Sequence, residues 1–264
     1  MSEARLSSPV CFGEQRSPLF FKMKINIQLT QMLWVFTLLL LGCGNEDPIA
    51  EQNTKAPKPD TTAQGHTGVP GDSASLQNLL KQYDPPGRDV WQKPEVVIGK
   101  LGDLGKKTVA DIGAGSGFFS RRLAQQAKKV IAVDIDPRFI HFMDSIKKVE
   151  LKPEYQQRFE TRLGLPNDPK LNPNEADIVL VVNTYIYIQD RVAYLKNLLN
   201  VLPPGGQVVV VDFKKKRMPI KYPTANVRME LYEIENELEA AGFTQIQSDD
   251  CALDYQYIVM ATKR

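Results

Sequence analysis

The chain has 264 residues, 42% hydrophobic and 24% charged, with a formal net charge of +2. That length and composition suit one large globular domain or two small ones, and the balanced charge gives no bulk argument for a nucleic-acid partner. Three scattered cysteines (Cys11, Cys43, Cys251) and two histidines (His66, His141) argue against a disulfide framework and against a Cys/His metal site, so no metal is expected.

Reading from the front, Met32 to Leu41 is a compact apolar run with Lys22 and Lys24 just upstream and Gly42-Cys43-Gly44 directly after it. A basic flank, an apolar stretch of this length and a small residue make an export signal, and the run is short of the roughly 20 apolar residues a spanning helix needs. Leu40-Leu41-Gly42-Cys43 resembles the lipobox of bacterial lipoproteins, with the spacing that fits if translation begins at Met23. The resemblance implies cleavage before Cys43, lipidation of that cysteine and residence in the cell envelope; an uncleaved single-pass anchor with a cytoplasmic domain is the alternative. Residues 44–72 are rich in Pro, Thr, Gly, Gln and Asp and nearly free of large aliphatic side chains, which predicts a flexible linker. The chain thus divides into a signal or anchor segment (1–43), a linker (44–72) and a folded domain (73–264).

In the folded domain the hydrophobic pattern predicts helices and strands in turn. A helix over 89–100 carries Pro94 in its first turns. A buried strand at 108–111 leads through a glycine-rich turn into a helix over 118–127. A second strand at 130–134 is followed by a helix that Pro137 opens and that runs to about 148. Strands follow at 159–163 and, as a continuous apolar run covered on both faces, at 177–183. A helix over 190–202 stops at Pro203-Pro204-Gly205-Gly206 and gives way to a strand at 207–213. A last helix over 226–241 ends at Gly242, and 243–247 and 255–262 form two closing strands near enough to pair antiparallel. Alternating β and α units with apolar strands predict a Rossmann-like α/β fold with a doubly wound, mostly parallel sheet.

The most informative stretch is Val109-Ala110-Asp111-Ile112-Gly113-Ala114-Gly115-Ser116-Gly117-Phe118. The three glycines let the backbone turn sharply and come close to a ligand, and the helix that follows favours an anionic group. Asp134 stands at the end of the next strand, where a carboxylate accepts the two hydroxyls of a ribose. Dinucleotide sites space their glycines G-x-G-x-x-G, whereas here Phe118 occupies the third glycine's place, and Asp111 would repel a pyrophosphate but suits an ammonium. With the apolar strand at 177–183 and the Leu202-Pro203-Pro204-Gly205-Gly206 turn, the pattern resembles class I S-adenosylmethionine-dependent methyltransferases over residues 80–264. The resemblance implies a seven-stranded sheet with a C-terminal antiparallel strand pair, and S-adenosyl-L-methionine as cofactor. It also implies a cofactor site at Asp111, Gly113, Ala114, Gly115, Gly117, Asp134, Ile135 and Asn183.

Asn183, Tyr185 and Tyr187 lie at the carboxyl end of the fourth strand, which in that family borders the methyl group and the acceptor. They are the candidates to orient a nucleophile or contact the sulfonium, against the alternative that the tyrosines pack beneath a helix. The segment lacks the Asn-Pro-Pro-Tyr pattern of DNA amino-methyltransferases. Tyr83, Arg88 and Trp91, in the prelude before the first strand, are candidates for a lid, and Leu163 and Gly164 mark the position of an adenine contact. Lys214 to Arg217 reads as a solvated face or a seat for an anionic acceptor or lipid headgroup. No catalytic base stands out. The chain therefore reads as a methyltransferase for a small-molecule or lipid-like acceptor, held at a membrane by its N-terminus, with no obligate protein partner evident. An envelope protein that binds the cofactor without turnover is the rival.

Overall fold

The computed structural model describes residues 75–220 and 223–264. The expected signal segment, Cys43 and the linker lie outside the described residues. Among the described residues no helix is long and apolar enough to cross a membrane, and no cluster of metal-ligating side chains occurs.

Three short helices, α1 (Leu76–Tyr83), α2 (Arg88–Gln92) and α3 (Pro94–Lys100), precede β1 (Thr108–Ile112). There follow α4 (Phe118–Leu123), β2 (Lys129–Asp134), α5 (Pro137–Glu150), α6 (Pro153–Gln156), β3 (Phe159–Leu163) and β4 (Ile178–Val182). A single 3-10 turn, Tyr185–Tyr187, leads to α7 (Arg191–Val201) and β5 (Gln207–Phe213), and then come α8 (Leu231–Ala241), β6 (Thr244–Asp249) and β7 (Gln256–Thr262). The strands form one seven-stranded sheet in the order β3-β2-β1-β4-β5-β7-β6. Its pairs are parallel from β3 through β5 and antiparallel where β7 joins β5 and β6. The expected doubly wound sheet with its closing antiparallel pair is the observed one.

The two faces of the sheet carry separate cores because side chains alternate along each strand. Val179, Val181, Val208 and Val210 pack against Leu195 and Leu198 of α7 and Ile234 and Leu238 of α8. Leu180, Val209, Val130 and Ala132 face the other way, against Phe118, Phe119 and Leu123 of α4 and Val97 and Ile98 of α3. Both faces of β4 are therefore dry, which is why its sequence reads as an unbroken apolar run. After β1 the chain winds out to β2 and β3 and then returns to place β4 on the other side of β1. The strand order therefore reverses between β1 and β4, and the carboxyl ends of strands at such a reversal are where open α/β sheets bind ligands.

Several local expectations are corrected. The helix expected over 89–100 is two, because Pro94 has no N–H to continue the first; Lys93 turns at φ 46° and Pro94 opens α3 at its first position. The helix after the glycine turn stops at Leu123, and the chain tightens into turns as the Gln126 and Ala127 amides both reach the Leu123 carbonyl. The last helix starts at Leu231 rather than 226, since Glu230 and Glu233 form a reciprocal capping box there. Helix α1, capped by the Ser75 hydroxyl on the Asn78 amide, was not foreseen.

Candidate active site

At the carboxyl end of β1 the chain turns through Gly113 to Gly117 into α4. Gly113, Gly115 and Gly117 all take positive φ (72°, 55° and 75°), a region that glycine enters without penalty. The turn is pinned to β2, whose Val133 carbonyl accepts the Gly113 and Ala114 amides at 2.8 and 3.0 Å. The three glycines have different surroundings. A Cβ on Gly113 would lie 2.3 Å from Thr184 Oγ1, so the turn and the β4–α7 connection touch here. A Cβ on Gly117 would press on Met143, whereas Gly115 faces open space with nothing within 4 Å.

Asp134, at the end of β2, reaches across to this open glycine. Its Oδ2 accepts the Gly115 amide at 2.8 Å and its Oδ1 accepts the Asp136 amide at 2.9 Å. Burial pushes its pKa up to about 6, against the pull of those two amides. Asp111 is also buried, and its Oδ2 accepts the Ser120 hydroxyl at 2.5 Å. Burial raises its pKa to about 6 as well; the Ser120 bond and the Arg88 guanidinium oppose the rise, and the Asp134 charge adds to it. Ile135 (38% exposed) and Leu163 (50% exposed) leave an apolar ledge beside Asp134, with Leu163 its direct register partner on β3. Gly164, the other positional candidate, donates its amide to the Asp134 carbonyl at 2.9 Å.

The prelude lies against the glycine turn. Asp84 accepts the Ser116 hydroxyl at 2.7 Å, Arg88 stacks 4.2 Å over the Phe118 ring, and Tyr83 meets Phe139 edge-on. Trp91 packs on Phe213 at 5.7 Å between ring centroids. Two residues that the sequence did not single out complete this connection. Gln92 and Gln256 are both fully buried, and with Asn183 they form a closed ring of side-chain amides. Gln92 donates to Gln256 at 2.5 Å, Gln256 donates to Asn183, and Asn183 donates back to Gln92 at 3.1 Å. Asn183, itself at φ 55°, is thereby tied to the prelude and to β7. A lone glutamine opening the apolar run of β7 was the available signal. It was invisible without its partners.

Tyr185 is 1% exposed, and its hydroxyl donates to Glu237 Oε2 at 2.6 Å. Burial, followed by that bond and the nearby Glu237 charge, holds the phenol protonated well above its ordinary range. Arg191 closes on the same Glu237 carboxylate through Nε and Nη2 at 2.8 to 3.1 Å. Tyr187 instead lines a hollow of about 560 Å³, together with Ile186, Ile188, Val192, Thr224 and Val227. A second hollow, of about 620 Å³, lies outside the prelude between Asp84, Arg88, Arg121 and Glu150.

Asp212, at the end of β5, was also missed. It is fully buried, its Oδ1 accepts the Phe213 amide at 2.8 Å, and its Oδ2 has no hydrogen-bond partner among the described residues. Burial pushes its pKa up to about 7. The folded chain therefore holds this proton more tightly than the unfolded chain does; the stability it contributes is complete below about pH 4 and is lost as pH rises through 7. Asp212→Asn should raise the thermal midpoint by several degrees at pH 8 and by much less at pH 5. A midpoint gain independent of pH in that range would show that Asp212 is not the buried acid described.

Residues 110–210 match the model of a family described as a methyltransferase domain. The tRNA U34 carboxymethyltransferase of Shewanella sp. (strain ANA-3) is 26% identical over 166 residues, 57% of this chain and 49% of that protein. The chain thus spans about half the length of the curated relatives it matches. Among solved structures, a SAM-dependent methyltransferase from Aquifex aeolicus superposes with a TM-score of 0.64 at 23% identity, over 72% of this chain and all of its own. Haemonchus contortus phosphoethanolamine N-methyltransferase 2, in complex with S-adenosyl-L-methionine, gives 0.56 at 14% identity over 74% and 61% of the two chains. At these identities the structures establish the fold, and the residues that match the methyltransferase-domain model include Asp111, Asp134 and Asn183.

Proposed function

We propose that this S-adenosylmethionine-dependent methyltransferase domain passes its methyl group to a small-molecule or lipid-like acceptor. The observation that carries the reading is the Asp134–Gly115 pair: a buried carboxylate, oriented by two amides, beside a glycine whose side-chain position is empty. A ribose diol would take up the Asp134 oxygens, with the Ile135–Leu163 ledge under the adenine. The backbone from Gly113 to Gly117, including Ala114, would receive the cofactor carboxylate, and the charge of Asp111 would favour its ammonium. Helix α4 has only six residues, so the turn's own amides matter more here than a helix dipole.

When bound, the cofactor would supply an activated methyl group with a neutral thioether as the leaving group. The chain's share is to position the acceptor and to exclude water, worth several kcal/mol when attack geometry is right. Asn183 borders the place where acceptor and methyl would meet, and the amide ring fixes its side chain. Tyr187 stands nearer the hollow, while Tyr185 serves chiefly to brace the turn through Glu237. An intact glycine turn and both acids argue against decay of the cofactor site.

The proposal extends to place: a diacylated Cys43 would hold the domain at a membrane on the 44–72 linker. In the flexible-coil regime the linker gives a reach of about 30 Å. One experiment tests both parts. Cells expressing the full chain are fed methyl-labelled methionine, and membrane lipids and small metabolites are compared with those of cells lacking it. Label should enter one product in a chain-dependent manner, and Cys43→Ala should leave an unlipidated precursor by mass spectrometry. Absence of any chain-dependent labelled product would favour the non-catalytic rival, and an unmodified N-terminus retaining residues 25–41 would favour the uncleaved anchor.

A further inference from the structure

The connection from β5 to α8 carries Lys214, Lys215, Lys216, Arg217, Lys221 and Arg228, and no acid lies between residues 214 and 229. Elsewhere the chain interleaves its charges, and many of its described cations sit in ion pairs. Lys214 is absorbed locally, since its ammonium donates to the Asp250 and Leu253 carbonyls and faces Asp249, Asp250 and Asp254. Lys215, Lys216 and Arg217 are exposed and make no ion pair with a described residue, although the Asp254 carboxylate feels the Lys216 charge.

The described parts of this connection are tied to one another. Arg228 is 4% exposed and, instead of meeting a carboxylate, donates to three carbonyls of its own loop. Its Nε reaches Pro223 at 2.8 Å, its Nη1 reaches Lys216 at 3.2 Å and its Nη2 reaches Ile220 at 3.4 Å. A buried guanidinium used in this way orders the segment that bears the free cations together with the segment after it. That later segment supplies Thr224 and Val227 to the 560 Å³ hollow, whose opposite wall is Ile186, Ile188 and Val192. The hollow lies within the usual size of small-molecule sites. Its two acids are engaged: Glu237 with Arg191 and Tyr185, and Asp190 as the cap of α7 on the Ala193 amide. The hollow and the Gly113 turn meet the same connection, because Thr184 touches Gly113 just before Ile186 begins the wall.

We infer that the β5–α8 connection reads the methyl acceptor, and that the acceptor is an amphipathic anion. Its apolar body would sit between Ile186, Ile188, Val192 and Val227, with its carboxylate or phosphate on Lys215, Lys216 and Arg217. The inference rests on the methyltransferase reading, so its test scores the cofactor separately.

The full chain, saturated with S-adenosylhomocysteine, is titrated calorimetrically with dodecyl phosphate below its micellar concentration and with dodecanol, the uncharged molecule of the same tail. The phosphate should bind about 10-fold more tightly, the return expected from one charge-assisted contact. Lys215→Gln/Lys216→Gln/Arg217→Gln together should erase that preference, and Val227→Asp should weaken both ligands, with S-adenosylhomocysteine affinity unchanged in each variant. Equal affinity for the two tails, or a triple variant that keeps the preference, overturns the inference. Two further outcomes also overturn it. One is adsorption to phosphatidylglycerol vesicles that survives Val227→Asp without uptake of monomeric dodecyl phosphate, which would make the cations a membrane-contact surface. The other is salt-sensitive binding of unfractionated tRNA in place of either tail, which would make them a nucleic-acid surface. Loss of S-adenosylhomocysteine binding by the unaltered chain would instead fail the methyltransferase reading itself.

Discussion

Gly115→Val will abolish S-adenosylhomocysteine binding while leaving the domain folded, and Gly113→Ala will cost the fold itself more. At Gly115 an added side chain meets no atom of the protein within 4 Å, so it projects into the space the ligand must use. Its cost to the fold is the strain of a left-handed residue at φ 55°, roughly 1–2 kcal/mol, or a few degrees in the thermal midpoint of a domain this size. At Gly113 even a methyl would stand 2.3 Å from Thr184 Oγ1 and force the glycine turn away from the β4–α7 connection. Calorimetry should record at least a 100-fold loss of affinity for Gly115→Val, and thermal unfolding should rank Gly113→Ala as the less stable of the two. Normal affinity in the Gly115 variant would remove residues 113–117 from the cofactor site.

Asp134→Ala should weaken S-adenosylhomocysteine binding by about 100-fold, since each charge-assisted bond to a ribose hydroxyl is worth roughly 1.5–3 kcal/mol. The same carboxylate gives the binding a pH dependence. In the free chain its pKa is pushed up to about 6, chiefly by burial, and only the ionised form accepts from both hydroxyls. Affinity should therefore hold level above pH 7 and weaken about 10-fold per unit on the acid side of pH 6. Asp134→Asn should flatten that profile in part. The remainder belongs to Asp111, which titrates in the same range and feels the Asp134 charge, so the two acids behave as a pair. A wild-type profile that is flat between pH 5 and 8 would mean that the ribose is held elsewhere.

Asp111, Asp134 and Asp212 share one physical condition. Each is a carboxylate whose burial raises its pKa, and they stand at the carboxyl ends of three parallel strands, β1, β2 and β5. Hydrophobic packing alone would not retain them there. Asp111 and Asp134 carry the proposed cofactor contacts. Asp212 lies one strand beyond Asn183, whose amide donates to the Val211 carbonyl, and its burial costs stability at neutral pH.

What the amino-acid order determined by itself is what depends on periodicity and on backbone chemistry. The unbroken apolar runs of β4 and β5 required a sheet covered on both faces, the glycine spacing at 113–117 required a turn of positive φ, and Asp134 followed from the strand after it. These are local constraints, legible wherever a residue's own steric and solvation preferences select its surroundings. Tertiary structure alone decided which polar side chains meet. Gln92, Asn183 and Gln256 lie far apart along the chain, and each is an unremarkable amide until the sheet order brings β4 and β7 to either side of β5 and the prelude folds across them. The partner of Tyr185 is likewise Glu237 on a distant helix, and the three carbonyls that shape the basic loop converge on Arg228 only when β5 and α8 are fixed. A hydrogen bond is short-ranged and directional, so its partners are set by where strands and helices lie in space, which neither charge pattern nor hydrophobic period encodes.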